Sequence, residues 1–299
     1  LQGIGIASPR IVMNAVIRDR YKGPEMARVM SFVMAVFILV PVIAPSIGQV
    51  ILIFFNWEAI FWMFLITALL VCIWFSIRLD ETLLPESRQP LSFRKIRNGM
   101  IEVLKTRTAL GYTLATGFLF SPFVGYLSSS QQIFADGYGK KDEFPLLFAS
   151  LALTFGVASL VNARLVYRYG LKRLCFASVS VITGLSSIFL LGILGMDKMP
   201  PLWLFMGYMM IIFPGIGFLF GNLNSLAMEP LGHIAGVGAA MIGSLSSLIS
   251  IPLGILIAGA FNGTVLPLVT GFSLCGLAVL FSIIWAEKNP QSKVVVENP

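Results

Sequence analysis

A small set of polar side chains lies within or beside long apolar runs, and these side chains could bind a polar ligand. A polar group in such surroundings needs a hydrogen-bond partner, because leaving it unpaired is costly. A ligand could supply that partner, although another helix or water would satisfy these groups equally well. The candidate substrate-binding residues are Asn14, Tyr112, Tyr126, Gln131, Gln132, Asn222 and Asn224.

Charged groups that could move a proton are scarce inside the same runs. Arg10 is the one clear case, and it could extend to the membrane surface, pair with another helix, or contact substrate or a coupling network. Glu58 and Glu229 lie at the ends of apolar runs, so we expect a proton-coupling acid upstream of Leu1. We expect His233 to cap the start of a helix or to pair with neighbouring Glu229, and a role in proton transfer is the alternative.

The cysteines do not form a metal-binding or disulfide pattern. Cys72, Cys175 and Cys275 lie in three separate apolar runs, with no CxxC spacing and no histidine nearby. The apolar runs also contain no cluster of His, Cys, Asp or Glu that would suggest catalysis. The sequence therefore predicts no cofactor and no metal, and it argues against a membrane-embedded enzyme or receptor.

Composition identifies the surroundings of these residues as lipid. The 299 residues are 57% hydrophobic and 12% charged, whereas soluble domains carry about 25% charged residues. Apolar runs of about 20 residues match the length of a helix that crosses a bilayer, and helices satisfy their own backbone. We predict an all-α polytopic membrane protein with spans at about 1–17 (incomplete), 29–54, 59–77, 109–128, 144–166, 174–194, 202–228, 234–260 and 266–285.

The basic residues predict how these spans are oriented. The net charge of +7 arises from short loops and not from one soluble basic face, so nucleic-acid binding is not indicated. Apart from Arg10, all Lys and Arg residues except Lys140, Lys141 and Lys198 fall on one side, which the positive-inside rule makes cytoplasmic. We therefore expect a multi-pass protein of the cell inner (plasma) membrane with its linker and C-terminus in the cytoplasm.

The polar stretch around residues 78–107 divides the spans into two groups. Three spans precede it and six follow it, so two equal six-helix bundles would require three further spans upstream. We predict helices 4–6 of a first bundle at 1–78, a cytoplasmic linker at 79–107 with a surface helix at 92–104, a second bundle at 108–287 and a cytoplasmic tail at 288–299. About nine of twelve helices are then present, and the chain is interpreted as N-terminally truncated.

Prolines and small residues mark helices that could kink or slide. Pro45 and Gly48 interrupt one early span, and Pro252 interrupts a late span. Arg164 and Gly170 belong to a short basic turn whose glycine permits a tight bend. A face of small residues on the late span could serve static packing or a rocking contact, and comprises Gly236, Ala240, Gly243, Ser247, Ser250 and Gly254.

Several of these segments together resemble the Bcr/CflA drug-resistance branch of the major facilitator superfamily. Leu1 to Gly5 is one matching segment, in which Gln2 and Gly3 look like the end of the fourth-helix motif, and Ala44 to Gln49 looks like a reduced fifth-helix antiporter motif. The other matching segments are Arg18-Asp19, Asp80 to Leu83, Ser129 to Phe134, Asn162 to Leu174 and Phe220 to Gly236.

This resemblance implies twelve helices and proton-driven export of drugs such as bicyclomycin by alternating access. It implies a monomer in membrane lipid, with a small drug-like molecule and protons as its partners. A facilitator or importer of the same fold, or an inactive fragment of an exporter, is the alternative.

Overall fold

The computed structural model describes residues 23–80, 92–195 and 199–288, together with a few positions before residue 22. These residues are almost entirely helical. The predicted span 1–17, with the candidates Arg10 and Asn14, lies outside the described residues apart from isolated positions. The linker segment 81–91 and the tail from residue 289 onward also lie outside them.

The chain divides into two compact units, residues 1–91 and residues 92–299. The first contains two long helices, α1 (Gly23–Phe54) and α2 (Glu58–Arg78). Helix α1 continues without a break through Pro45 and Gly48. Helix α2 buries none of its residues within its unit, so its apolar surface is suited to lipid or to another protein surface.

The second unit begins with the short helix α3 (Phe93–Lys105), which fulfils the expectation of a helix at 92–104. Six long helices follow it. They are α4 (Arg107–Gln132), α5 (Phe144–Tyr169), α6 (Leu171–Ile193), α7 (Leu202–Met228), α8 (Ala235–Gly259) and α9 (Leu266–Glu287).

Within the described residues, six continuous helical stretches are long and apolar enough to cross a membrane. One of them, Leu202–Gly259, contains both α7 and α8, because a 3₁₀ turn at Glu229–Ile234 joins them. Eight of the nine predicted spans coincide with helices α1, α2 and α4 to α9. The predicted all-α polytopic membrane fold is therefore confirmed.

Helix α4 occupies the centre of the second unit and packs against α7, α8 and α9. Its glycines Gly111, Gly117 and Gly125 let the neighbouring helices approach closely. A methyl group on Gly111, for example, would lie 2.6 Å from the Cβ of Ala286. Close approach through small residues is the usual way for membrane helices to associate, because lipid provides no hydrophobic drive.

Hydroxyl pairs connect α6 to both of its partners. Ser186 and Tyr208 share a hydrogen bond of 2.8 Å between α6 and α7, and Ser187 and Ser273 share one of 2.8 Å between α6 and α9. Each hydroxyl is thereby satisfied away from water. These bonds set the rotation of α6 within the unit.

The break between α5 and α6 depends on Gly170. Its φ of 81° and ψ of 150° are strained for residues with a side chain, so glycine ends α5 and starts α6 in a single residue. Arg164 and Arg168 end α5 before this turn, and Lys172 begins α6 after it. Gly170 thus forms the predicted bend, and its conformational role in transport stays a prediction.

Candidate functional site

The contact between α5 and α7 contains a closed pair of carboxamides. Asn162 Nδ2 donates to Asn222 Oδ1, and Asn222 Nδ2 donates to Asn162 Oδ1, each at 2.9 Å. Asn222 is 4% exposed, whereas Asn162 is half-buried. Asn222 is thus positioned by another helix in the conformation seen here, and its predicted contact with substrate stays a prediction.

Close backbone approach brings these two asparagines together. A methyl group on Gly217 would lie 2.7 Å from the carbonyl oxygen of Phe155, so α5 and α7 touch there without intervening side chains. One turn further along, the Ser159 hydroxyl lies 3.5 Å from the Gly217 carbonyl oxygen. Only glycine at position 217 allows this spacing.

An aromatic cluster joins α4, α5 and α7. The rings of Phe123 and Phe155 stack with centroids 6.0 Å apart, and the edge of Phe220 meets Phe155 at 6.0 Å. Phe120 lies 5.1 Å from Phe220. These four rings are half-buried, so the cluster offers an apolar surface to a flat molecule.

Tyr126 extends this cluster into the interior of the second unit. Its ring stacks on Phe148 at 5.8 Å and meets Phe213 edge-on at 5.1 Å. The side chain is fully buried, and its hydroxyl has no hydrogen-bond partner among the described residues. A substrate could reach this hydroxyl only after the surrounding helices separate, so its predicted binding role is not tested by this conformation.

Tyr112 lies at the end of the second unit that carries Arg107 and Lys172, called here the basic end. It takes part in a separate hydrogen-bond network. Its hydroxyl donates to Glu287 Oε1 at 2.7 Å, and Lys172 Nζ lies 2.9 Å from Glu287 Oε2. One carboxylate therefore connects α4, α6 and α9. Tyr112 is assigned a structural partner here, while its predicted role in binding substrate remains open.

A second contact reinforces the junction of α4 and α9. Arg107 Nε donates to the Trp285 carbonyl oxygen at 2.8 Å, and its guanidinium lies 5.0 Å from the Trp285 ring centroid. The same carbonyl also accepts the backbone N–H of Lys288 at 3.4 Å, and arginine can bond a carbonyl and contact an aromatic face with one planar group. The first turn of α4 is thus held to the last turn of α9.

The remaining polar candidates are exposed. Gln131 and Gln132 end α4, where the chain continues into a π-helical turn at Ile133–Gly137, and Asn224 lies on the outer surface of α7. Their exposure is compatible with solvent contact or with a ligand. The structure brings Asn222 near Asn162 but does not gather all the predicted substrate-binding residues into one pocket.

The basic turn borders a surface cleft. A cleft of about 540 Å³ lies between the start of α6 and the end of α7, and Lys172, Arg173, Ser225 and Glu229 are among its lining residues. Arg164 is exposed on α5, six residues before Gly170. The charges of both signs around this cleft are typical of a hydrated surface.

The predicted small-residue face of α8 is divided in the structure. Ser250 and Gly254 face α4, and a methyl group on Gly254 would lie 2.6 Å from Val124 Cγ1. Gly236 and Gly243 instead have open space where a Cβ would be. The first four positions of this row are exposed and only Ser250 and Gly254 are buried, so the row does not form one continuous packing face.

The predicted conformational positions on α1 and α8 are accommodated in continuous helices. Pro45 and Gly48 are half-buried in α1, and a methyl group on Gly48 would meet nothing within 4 Å among the described atoms. Pro252 is exposed within α8. A proline within a helix removes one backbone hydrogen-bond donor and can weaken the helix locally. The role of Pro45, Gly48 and Pro252 in conformational change stays a prediction.

The expected partner of His233 was wrong. His233 Nε2 lies 2.6 Å from Glu102 Oε1 on α3, not beside Glu229. The 3₁₀ turn points the imidazole toward α3, which also packs on α8 where Gly99 meets Val237. This pair connects α3, the first helix of the second unit, to the turn between α7 and α8.

Loss of the His233 side chain is expected to loosen α3 slightly. Exposed ion pairs contribute about 0.5 kcal/mol, so His233→Ala should raise amide hydrogen exchange in α3 by about twofold. Exchange measured by mass spectrometry on peptides covering residues 93–105 would test this. An unchanged rate would show that the contact between Gly99 and Val237 holds the helix without the pair.

The described residues contain no group of three or more His, Cys, Asp or Glu that could hold a metal ion. Buried Cys175 and half-buried Cys275 pack as apolar side chains within their helices.

Sequence reasoning missed several of the residues that organise this region. Glu287 and Glu102 are partners of residues on other helices, and neither of them was singled out from the sequence. Asn162 was named only as the first residue of the matching segment Asn162 to Leu174. Its position within an apolar run was a usable signal, because a lone carboxamide there requires a partner.

Comparisons with known proteins agree with this architecture. A sequence model of the Major Facilitator Superfamily matches residues 1–254. The bicyclomycin resistance protein homolog of Haemophilus influenzae is 27% identical over 297 residues, covering 98% of this chain and 73% of that protein. The resemblance found from the sequence segments is thereby confirmed.

Two further relatives align over most of the chain. The uncharacterized MFS-type transporter YdgK of Bacillus subtilis is 29% identical over 253 residues, covering 83% of this chain and 62% of that protein. The multidrug resistance protein MdtL of a Shewanella species is 25% identical over 267 residues, covering 88% of this chain and 66% of that protein. The chain thus spans between 62% and 73% of the length of these three proteins.

Proposed function

Because the chain belongs to the Major Facilitator Superfamily, whose members are transporters and not enzymes, we propose that it exports small drug-like molecules in exchange for protons. The observation that carries this proposal is the similarity over 98% of the chain to a protein named a bicyclomycin resistance protein homolog. The similarity to a protein named multidrug resistance protein MdtL supports the same substrate class.

Alternating access is the mechanism that the architecture favours. Residues 1–91 and residues 92–299 form separate compact units, as a transporter with two rocking bundles requires. Helices in both units contain internal prolines, at Pro45 in α1 and at Pro252 in α8. The half-buried aromatic cluster and the carboxamide pair in the second unit supply the apolar and polar contacts that a drug-like molecule needs.

The membrane and its orientation are part of the proposal. The transporter acts as a monomer in the cell inner membrane, with the basic ends of α4, α5, α6 and α9 in the cytoplasm. Arg107, Arg164 and Lys172 lie at those ends, whereas Lys140 and Lys141 lie on the opposite side.

A facilitator or importer of the same fold is the second candidate, and one observation favours it. Within the described parts of the long helices, acidic residues occur only near helix ends, as with Glu58, Glu229 and Glu287. These positions provide no carboxylate deep in the membrane to carry a proton. Proton exchange would therefore require a carboxylate outside the described residues.

Transport by the full-length protein in liposomes distinguishes the candidates. With a proton gradient imposed, an exporter should concentrate the fluorescent cation ethidium against its own gradient, because proton movement drives the exchange. Collapse of the proton gradient with nigericin should abolish accumulation. Liposomes without protein provide the control for leakage.

Each outcome assigns the protein to one candidate. Ethidium that equilibrates at the same rate with and without the proton gradient would reject antiport and support a facilitator. A failure to move ethidium or other drug-like molecules under any gradient would reject transport of this substrate class.

A further inference from the structure

The carboxamide pair between α5 and α7 has a hydrogen-bonding pattern that a ligand can copy. Asn162 and Asn222 each present one N–H donor and one C=O acceptor on the same edge, and the two edges form a closed ring of two 2.9 Å bonds. A cis-amide in a lactam or imide ring presents the same donor and acceptor side by side. An open-chain trans-amide directs them to opposite sides and cannot form this ring.

The two asparagines differ in how easily they can exchange partners. Asn222 is 4% exposed, so its carboxamide would pay a desolvation penalty if left unpaired. Asn162 is half-buried, so its carboxamide can turn toward water and keep its hydrogen bonds. A ligand with the same edge would therefore replace Asn162 and pair with Asn222.

The aromatic cluster continues from this pair along the same helix contact. Phe155 precedes Asn162 by seven residues, which is about 10 Å along the same face of α5, whereas Phe220 and Asn222 are two residues apart and do not share a face of α7. The Phe155 and Phe220 rings meet at 6.0 Å, and Phe123 stacks on Phe155. A ligand whose amide edge lies on Asn222 would have to extend over that distance to reach these phenylalanines.

We propose that Asn222 selects substrates that carry a cis-amide edge, and that Asn162 occupies the same edge when no substrate is bound. This inference rests on the proposed export function and names the substrate class of that site. Asn162 then takes the position of the ligand amide. It keeps the buried Asn222 carboxamide hydrogen-bonded between transport cycles.

Two matched probes test this recognition in the purified full-length protein. Isoquinolin-1(2H)-one carries a ring and a cis N–H/C=O edge, and in its N-methyl derivative a methyl group replaces the N–H donor. We expect the N–H probe to bind about tenfold more tightly, as one additional buried hydrogen bond predicts. Isothermal titration calorimetry on the protein in detergent would measure both affinities.

Substitutions at the two asparagines should have opposite effects. Asn222→Leu should abolish the preference for the N–H probe, because the edge that pairs with it is gone. Asn162→Ala should preserve or increase the preference, because it removes the competing carboxamide. Ser225→Ala provides the matched control, since that hydroxyl bonds only to the Gly221 carbonyl of its own helix in the contacts described.

A double variant guards against misfolding of Asn222→Leu. Asn162→Leu combined with Asn222→Leu replaces both partners by apolar groups, which leaves neither carboxamide unpaired. It should fold and should bind both probes equally. Thermal unfolding in detergent would verify that each variant is folded before affinities are compared.

Three results would overturn the proposal: equal binding of the two probes to the unmodified protein, equal loss of preference in both single variants, or no binding of either probe. Ethidium transport provides an independent reading, because ethidium has no amide edge. Transport of ethidium with no preference between the probes would reject this inference and leave export intact. Loss of ethidium transport would instead count against the export function itself.

Discussion

Gly217→Val is expected to destabilise the second unit by roughly 2–3 kcal/mol, the upper range for adding bulk to a packed contact. The first added carbon would lie 2.7 Å from the Phe155 carbonyl oxygen and 3.2 Å from the Ala158 Cβ. The obstacle is backbone, so no side-chain rotation can relieve it. Helices α5 and α7 must move apart, and the bonds between Asn162 and Asn222 would break with them.

The same helix provides a matched control for this substitution. Gly221 lies four residues further along α7, and a Cβ there would meet nothing within 4 Å among the described atoms. Gly221→Ala should raise the free energy of unfolding by less than about 1 kcal/mol, because alanine is the better helix former. Thermal unfolding of both variants in detergent would measure the difference, and equal melting temperatures would show that α5 and α7 do not rely on this contact.

Glu287→Leu is expected to open the basic end of the second unit. The substitution removes the acceptor of the Tyr112 hydroxyl and the partner of Lys172 in one step. An unpaired hydroxyl of a buried residue costs about 2 kcal/mol, while the half-exposed Lys172 can regain water. The start of α6 should then separate from α4 and α9.

Cys175 reports on this opening, because it is fully buried and lies one turn beyond Lys172 on α6. N-ethylmaleimide labelling followed by mass spectrometry should show several-fold faster modification of Cys175 in Glu287→Leu than in the unmodified protein. Glu143→Gln is the control, since Glu143 pairs with Lys140 in an exposed contact within one turn. Equal labelling of Cys175 in all three proteins would contradict a holding role for Glu287.

The carboxamide pair and Gly217 together explain why the contact between α5 and α7 carries both stability and the proposed recognition. Close backbone approach positions the asparagines, and their pairing in turn satisfies polar groups within the membrane segment. A change at Gly217 should therefore alter binding of amide ligands as well as unfolding, whereas a change at Asn162 should alter mainly binding.

The positions of the helices could be predicted from the sequence because they depend on local properties. The span predicted at 202–228 coincides with α7, and the span at 266–285 differs from α9 only at its end. Apolar length determines whether a segment crosses the membrane, and charged or flexible residues such as Gly170 determine where it stops. The family resemblance also came from local segments, since short motifs remain readable without their partners.

The partners of the polar side chains were decided by the tertiary structure alone. His233 pairs with Glu102, 131 residues away, and Tyr112 pairs with Glu287, 175 residues away. Which side chains meet depends on the rotation and crossing of whole helices, and each helix presents several faces with nearly the same apolar pattern. The sequence by itself therefore determined a polytopic helical membrane protein with Asn222 among its polar positions. Only the packing of α5 against α7 decided that Asn222 would face Asn162, because backbone contact at Gly217 sets the rotation of both helices.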